Sequence, residues 1–253
     1  MGVLPPRALR HRHHRRPSDA AAQARDQEGA SLAASGSASG LYPTGDLRDQ
    51  LAHAGRAVVQ AGLVVGSGGN LSARAPGADE CWVTAAGTWL DRLDRGSFVR
   101  IRIIDGATLD NSAGVAPSSE VALHLATYRA RPDVNAVVHL HPQTVLLLDA
   151  VGAPIRLATT DHAFYLRRVA TTPFVPPGHP DVGTLAAAAC ADGTNCVILS
   201  RHGCSVAADS VELAHKRAMY LEEAARLTYR ALALAIALPS LPTDWLDDPL
   251  ATA

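Results

Sequence analysis

The chain has 253 residues, 47% of them hydrophobic and 19% charged, enough to bury one large core or two small ones. Its formal net charge of −1 sets 23 Lys and Arg against 24 Asp and Glu, which provides no overall basic field for nucleic acid. No run of about 18 apolar residues occurs, so no spanning helix and no membrane partner is expected.

Residues 1–40 read as a disordered tail. Met1 to Pro17 is rich in Pro, Arg and His, and Ser18 to Gly40 in Ala, Ser, Gly and Gln, with no apolar period to offset the entropy of ordering. The basic run His11 to Arg16 reads as a solvated tail or as sequence upstream of the true start. A contact to nucleic acid or metal is the other reading, and no apolar stretch follows to make a secretory signal.

Order is expected from residue 41. Thr44 can cap a helix in which Leu47, Leu51, Ala54, Val58 and Val59 follow helical spacing, with Gly62 as its stop. A turn at Gly66-Ser67-Gly68-Gly69-Asn70 leads into β-like runs at Leu71–Arg74 and Cys81–Ala85, and Phe98 to Ile104 alternates as a strand. Ser118 is the expected cap of a second helix that runs through Tyr128 and stops near Pro132. Val134 to His141 is strand-like, and Pro142–Val151 is helical. Residues 154–176 are expected to hold short strands and loops. Val182–Ala191 reads as a helix, Asn195–Ser200 as a buried strand, and Ser210–Leu238 as one long Ala/Leu helix. A polar, Pro-containing tail follows over 239–253. The alternation suggests an α/β sandwich with helices around a central sheet.

Chemistry-bearing residues are few. Eleven histidines stand against a single lysine, Lys216, which lies in the long helix away from every motif and is a poor Schiff-base candidate. The four cysteines, Cys81, Cys190, Cys196 and Cys204, have no CxxC spacing and read as small hydrophobes of a reducing cytoplasm. His139-Leu140-His141 places two imidazoles on one strand face about 7 Å apart, where they can take two corners of a zinc tetrahedron or simply be hydrogen-bonded. His202, in the loop after an apolar strand, is a turn histidine or a third ligand that leaves one position open. Glu120, beside Ser118 and Ser119 in the first turn of its helix, is either helix-end electrostatics or the fourth group of a site. The loop 66–70 lacks both GxGxxG and the lysine of a P-loop, so a turn or a small anion nest remains.

Taken in order, Gly66-Ser67-Gly68-Gly69-Asn70-Leu71-Ser72-Ala73-Arg74, Thr84-Ala85-Ala86-Gly87, Pro117-Ser118-Ser119-Glu120, His139-Leu140-His141 and Ser200-Arg201-His202-Gly203 resemble the class II aldolase/adducin family over about residues 46–238. The resemblance implies a three-layer α/β/α sandwich with a central, mainly antiparallel sheet as a catalytic domain over 41–238. It implies one Zn²⁺ per subunit on His139, His141 and His202, with Glu120 as general acid/base that can also touch the metal. Asn70, Thr84, Gly87, Ser118 and Ser119 would form the pocket for a substrate phosphate. The segment Thr159 to Tyr165 would supply a second acid/base across a subunit boundary, with Asp161, His162 and Tyr165 as its candidates. A cytoplasmic homotetramer of carbohydrate metabolism, with sites at subunit interfaces, completes the expectation.

On this resemblance the function is a lyase that cleaves a carbon–carbon bond of a small hydroxy-keto substrate, by retro-aldol reaction of a ketose phosphate through a metal-stabilised enediolate. A decarboxylase of a hydroxy or keto acid, or a non-catalytic adducin-like scaffold, are the alternatives. Two departures bear on the anion. Thr84-Ala85-Ala86-Gly87 lacks one hydroxyl of the family's Thr-Pro-Ser/Thr-Gly, a loss of about 1.5–3 kcal/mol of binding if that group met a charge. Arg201 stands where Asn often precedes the histidine, as a compensating cation or a surface residue.

Overall fold

In the computed structural model the described residues are 2, 41–111 and 113–247. The tail expected over 1–40 therefore lies, Gly2 apart, outside them, as does the end of the chain from 248. The first described helix, α1 (Leu47–Gln60), opens two residues later than Thr44 would place it. Its cap is Asp46, whose carboxylate accepts from the Arg48 backbone N–H at 2.9 Å and from the Arg48 guanidinium at 2.7 Å. The helix stops as expected at Gly62, which takes φ +74° while the Leu63 N–H returns to the Val58 carbonyl.

Eight strands form one sheet: β1 (Asn70–Ala73), β2 (Glu80–Thr84), β3 (Phe98–Arg102), β4 (Thr108–Asp110), β5 (Ala136–Leu140), β6 (Val169–Thr172), β7 (Cys196–Leu199) and β8 (Gly203–Ala208). Their order is β4-β3-β2-β1-β5-β8-β7-β6, and every pair is antiparallel except β6 with β7. The helices between them are α2 (Val121–Ala130), α3 (Gln143–Ala150), α4 (Thr160–Leu166), α5 (Asp181–Cys190) and α6 (Val211–Ala233).

The three layers follow from strand parity. In β5, Ala136, Val138 and Leu140 point to one face, where they join Leu51 and Val58 of α1, Val145 and Leu148 of α3, and Ala214, Ala218 and Leu221 of α6. Val137 points to the other face, with Leu125 and Tyr128 of α2 and Val99 and Ile101 of β3. Leu123 of α2 packs there with Val182 and Ala186 of α5. The approach of α2 to α5 depends on Gly183, where a Cβ would stand 2.9 Å from the Ala122 carbonyl oxygen.

Four local expectations change. Ser118 does not cap α2: Glu120 holds the cap position, and Ser118 Oγ instead accepts the Glu120 N–H at 3.3 Å. Within 154–176 a helix, α4, appears where strands and loops were expected, because Thr159 caps it through the His162 N–H and Ala163 and Leu166 are buried. Strand β8 was not anticipated; all six of its residues are buried, so it shows no polar alternation. Finally, α6 ends at Ala233, five residues short of Leu238, where Ala235 turns to φ +54° and the Ile236 N–H bonds the Ala231 carbonyl. The stretch after it is not a free tail in its described part. The Leu241 N–H bonds the Leu157 carbonyl at 2.7 Å, and Leu246 is buried.

Candidate metal centre

The period of two in β5 and the turn between β7 and β8 bring three imidazoles to one end of the sheet. His139 is the fourth residue of β5, His141 follows its end, and His202 sits in the turn that leads into β8. Their ring centroids are 4.9, 4.9 and 5.5 Å apart, and one nitrogen from each lies within 4.8 Å of the others. Crowding here is tight enough to require glycine. A Cβ on Gly203 would stand 2.6 Å from the His141 ring and 2.5 Å from the Leu140 carbonyl oxygen, and one on Gly68 would stand 2.9 Å from His141 Nδ1.

Glu120, at the start of α2, closes the cluster. Its Oε2 lies 3.1 Å from His139 Nε2 and accepts from the Asn70 amide at 2.9 Å, while Oε1 lies 3.0 Å from His202 Nε2. Burial alone would raise this carboxyl. The contacts from His139 and His202, with the Asn70 amide, outweigh it and hold Glu120 well below the ordinary carboxylate range. Burial, then His139 and His202, push His141 down to about 4, so its ring is neutral at pH 7.

This donor set fits a divalent cation. His139 Nδ1 is 3.0 Å from the Cys204 carbonyl oxygen, which can only accept, so Nδ1 donates there and Nε2 is the ring nitrogen that faces the cluster. This Nε2 lies 3.0 Å from His141 Nε2 and 3.1 Å from a Glu120 carboxylate oxygen. Among the described residues, Glu120 Oε1, its 3.0 Å approach to His202 Nε2 apart, and His202 Nδ1 are buried without a hydrogen-bond partner. Three imidazoles plus a carboxylate around one point are the ligand types of a zinc-like ion.

The cluster opens into a cleft of about 450 Å³ lined by His141, His202 and Glu120. Gly68, Gly69, Asn70, Gly87, Thr88, Ser118 and Ser119 also line it. Of the expected anion residues, Asn70, Gly87, Ser118 and Ser119 line this cleft. Thr84 does not: it is fully buried, and its hydroxyl oxygen accepts the Leu71 N–H at 3.2 Å, bracing β1 on β2. Arg201 is no compensating cation within the described chain. Its guanidinium donates to the Ala150 carbonyl and its N–H to Asp149 at the end of α3.

Asp161, His162 and Tyr165 do not reach the cleft within one chain. They stand on α4 against α6, where Tyr165 stacks on Tyr220 at 4.5 Å and His162 lies 3.6 Å from Glu223. Lys216 is on α6, paired with Glu212 at 2.7 Å. A second hollow of about 470 Å³ lies between Pro154, Leu232 and Leu238; Arg156 is its one charged lining residue, so the chemistry concentrates in the cleft.

Sequence reasoning missed the support behind Glu120. His124, one helical turn on, is wholly buried and bonds Asn70, and Ser72 links it to Tyr128. The available signal was the Glu120–His124 spacing of four, which puts both on one face of α2. Glu222 was missed as well. Buried in α6, it accepts the Thr144 hydroxyl at 2.6 Å and the Thr144 and Val145 N–H groups at 3.2 Å, satisfying the start of α3 directly after His141.

Comparison with known proteins agrees with this geometry. The family model described as "Class II Aldolase and Adducin N-terminal domain" matches residues 49–229. A 3-oxo-tetronate 4-phosphate decarboxylase of Escherichia coli strain K12 is 31% identical over 188 residues, covering 72% of this chain and 86% of that protein. An L-fuculose phosphate aldolase of Methanocaldococcus jannaschii is 29% identical over 165 residues, covering 65% of this chain and 86% of that protein. In fold, a solved L-fuculose 1-phosphate aldolase superposes with a TM-score of 0.71 at 23% identity, over 83% of this chain and 97% of that one.

Proposed function

The chain belongs to the class II aldolase and adducin family, and from that premise we propose that it is a zinc-dependent lyase acting on a small phosphorylated hydroxy-keto substrate. The observation that carries this reading is the convergence of His139, His141 and His202 with the Glu120 carboxylate at the head of one polar cleft. These four residues would hold one Zn²⁺ per chain. When bound, the ion supplies the electron withdrawal that lets a carbon–carbon bond beside a carbonyl break.

The chain's own groups do the rest. The Ser118 and Ser119 hydroxyls, with the Gly68 and Gly87 backbone, offer neutral donors to a substrate anion in the cleft. Glu120, held by Asn70, is the one carboxylate lining the cleft, and it moves the proton at the carbon next to the carbonyl. Retro-aldol cleavage of a ketose phosphate also needs a base that takes the hydroxyl proton of the carbon leaving as the aldehyde. We assign that to the 161–165 segment of a neighbouring copy in a homotetramer with sites at subunit interfaces. Four buried free cysteines suit a cytoplasmic enzyme.

A specific observation favours a second reading. Decarboxylation of a phosphorylated 3-oxo acid releases CO₂ and then needs one proton at the carbon left behind, which Glu120 can relay there from solvent in the cleft without any residue of α4. The deciding experiment incubates the zinc-loaded chain with ketose 1-phosphates and with 3-oxo-acid phosphates. Aldehyde release supports the aldolase and CO₂ release the decarboxylase. Turnover of neither, with no bound zinc, would leave a non-catalytic scaffold of the adducin kind.

A further inference from the structure

We propose that Tyr128, Ser72 and His124 form a hydrogen-bonded chain of fixed direction whose task is to hold the Asn70 amide with its NH₂ group on Glu120. The proposal deepens the lyase reading, since it takes Glu120 as the proton-moving group. Its parts come from three elements: Asn70 and Ser72 from β1, His124 and Tyr128 from α2, and Glu120 from the cap of α2. Asn70 and Ser72 are two apart on β1 and share a face; Glu120, His124 and Tyr128 are four apart on the helix and share a stripe. One face of a strand thus meshes with one stripe of a helix.

The direction follows from which groups can donate. An ionised carboxylate only accepts, so the Asn70 contact at 2.9 Å to Glu120 Oε2 must come from its Nδ2. That leaves Asn70 Oδ1 as an acceptor, and His124 Nε2 against it must carry the proton. His124 is wholly buried, and burial, then the neighbouring His139, push it down to about 3, so the ring is neutral and has one N–H. Its Nδ1 is therefore an acceptor, and Ser72 donates to it at 2.7 Å. Ser72 Oγ in turn accepts from the Tyr128 phenol at 2.7 Å. Burial drives that phenol well above its usual range, so it keeps its proton. With Glu120 ionised and the His124 ring neutral, no other placement of protons satisfies all four contacts.

The consequence is positional. Unlocked, the Asn70 amide can rotate by half a turn and set its carbonyl against the carboxylate. Locked, it gives one N–H to Glu120 and keeps the second free for the cleft. His124, Ser72 and Tyr128 touch neither metal nor cleft, so they act as positioning residues.

Two arms test this on the full-length, zinc-loaded protein. In ¹⁵N-histidine NMR, which needs no substrate, His124 is expected as a single neutral tautomer protonated at Nε2. Ser72→Ala or Tyr128→Phe is expected to broaden that state into a mixture. An Nδ1-protonated His124 in the unaltered protein overturns the proposal. In kinetics, His124→Leu is expected to lower kcat about tenfold, the worth of one oriented hydrogen bond to a charge, with KM changed less than twofold. Asn70→Ala and the double variant Asn70→Ala with His124→Leu are expected to agree in kcat within about twofold, because His124 acts through Asn70. Additive losses in that cycle would mean a merely structural role and refute the chain. Should His124→Leu not fold, Tyr128→Phe replaces it in the same cycle. If no substrate is turned over but the tautomer is as stated, the lyase reading fails and the chain stands.

Discussion

Replacing Gly203 with Ala is the sharpest small perturbation of the candidate metal centre. The added methyl carbon would stand 2.5 Å from the Leu140 carbonyl oxygen, 2.6 Å from His141 Cδ2 and 3.0 Å from His139 Cε1. Two of these neighbours are candidate ligands, and the third is backbone of the strand that carries them. None is the free end of a flexible side chain, so β5 and β8 must part or the imidazoles must turn. Forcing one methyl into a packed site costs about 1–3 kcal/mol. Displacing oriented ligands weakens a metal by about 10–100-fold. Urea unfolding and a competitive zinc titration measure the two effects separately. Gly77→Ala serves as the control: it has φ +75° and open space around it, so it is expected to cost about 1 kcal/mol of backbone strain and no metal affinity. If Gly203→Ala keeps both the stability and the zinc affinity of the unaltered chain, the packing described around His139 and His141 is wrong.

Other perturbations have equally definite outcomes. Glu222→Ala removes the buried acceptor from the first N–H groups of α3 and is expected to lower stability by about 3 kcal/mol in urea unfolding. Asp46→Ala removes the cap of α1 and is expected to cost about 1 kcal/mol at neutral pH. The hydrogen bond from Arg48 holds Asp46 at about 2, below its unfolded value of about 4, so the deficit is full above pH 4 and shrinks as pH falls towards 2. Arg201 sits at φ +60°, so Arg201→Asn is expected to raise stability by about 0.5–1 kcal/mol in the same assay, against the loss of one exposed bond to Ala150. Lys216→Ala is expected to retain full turnover and insensitivity to borohydride, since Lys216 pairs with Glu212 outside the cleft.

The convergence of the three histidines was legible because its two determinants are local. Strand parity puts His139 and His141 on one face, and a Gly-flanked turn after an apolar strand presents His202. The helices α1, α2, α3 and α5 were legible to within two residues at each end, since their apolar spacing is regular and proline or glycine bounds them. Strand β8 was not, because burial on both sides removes the alternation that marks a strand, and Gly203, Ser205 and Ala207 have weak β preference. Helix α4 was hidden by Thr159, Thr160 and the aromatics Phe164 and Tyr165, whose strand preference yields to packing against α6. Thr84 illustrates another limit: a hydroxyl in a binding motif has the same letter whether it faces a ligand or a backbone N–H. Glu222 and His124 were illegible as polar partners because their contacts join residues more than 50 positions apart.

The most direct test of the account is the metal stoichiometry of the purified chain, read by elemental analysis after dialysis against buffered zinc. One ion per chain, lost together in His139→Ala and His141→Ala while both variants keep the native circular dichroism, is the expected result. A chain that binds no divalent ion, or binds it undiminished without these two imidazoles, would contradict the metal centre and the lyase built upon it.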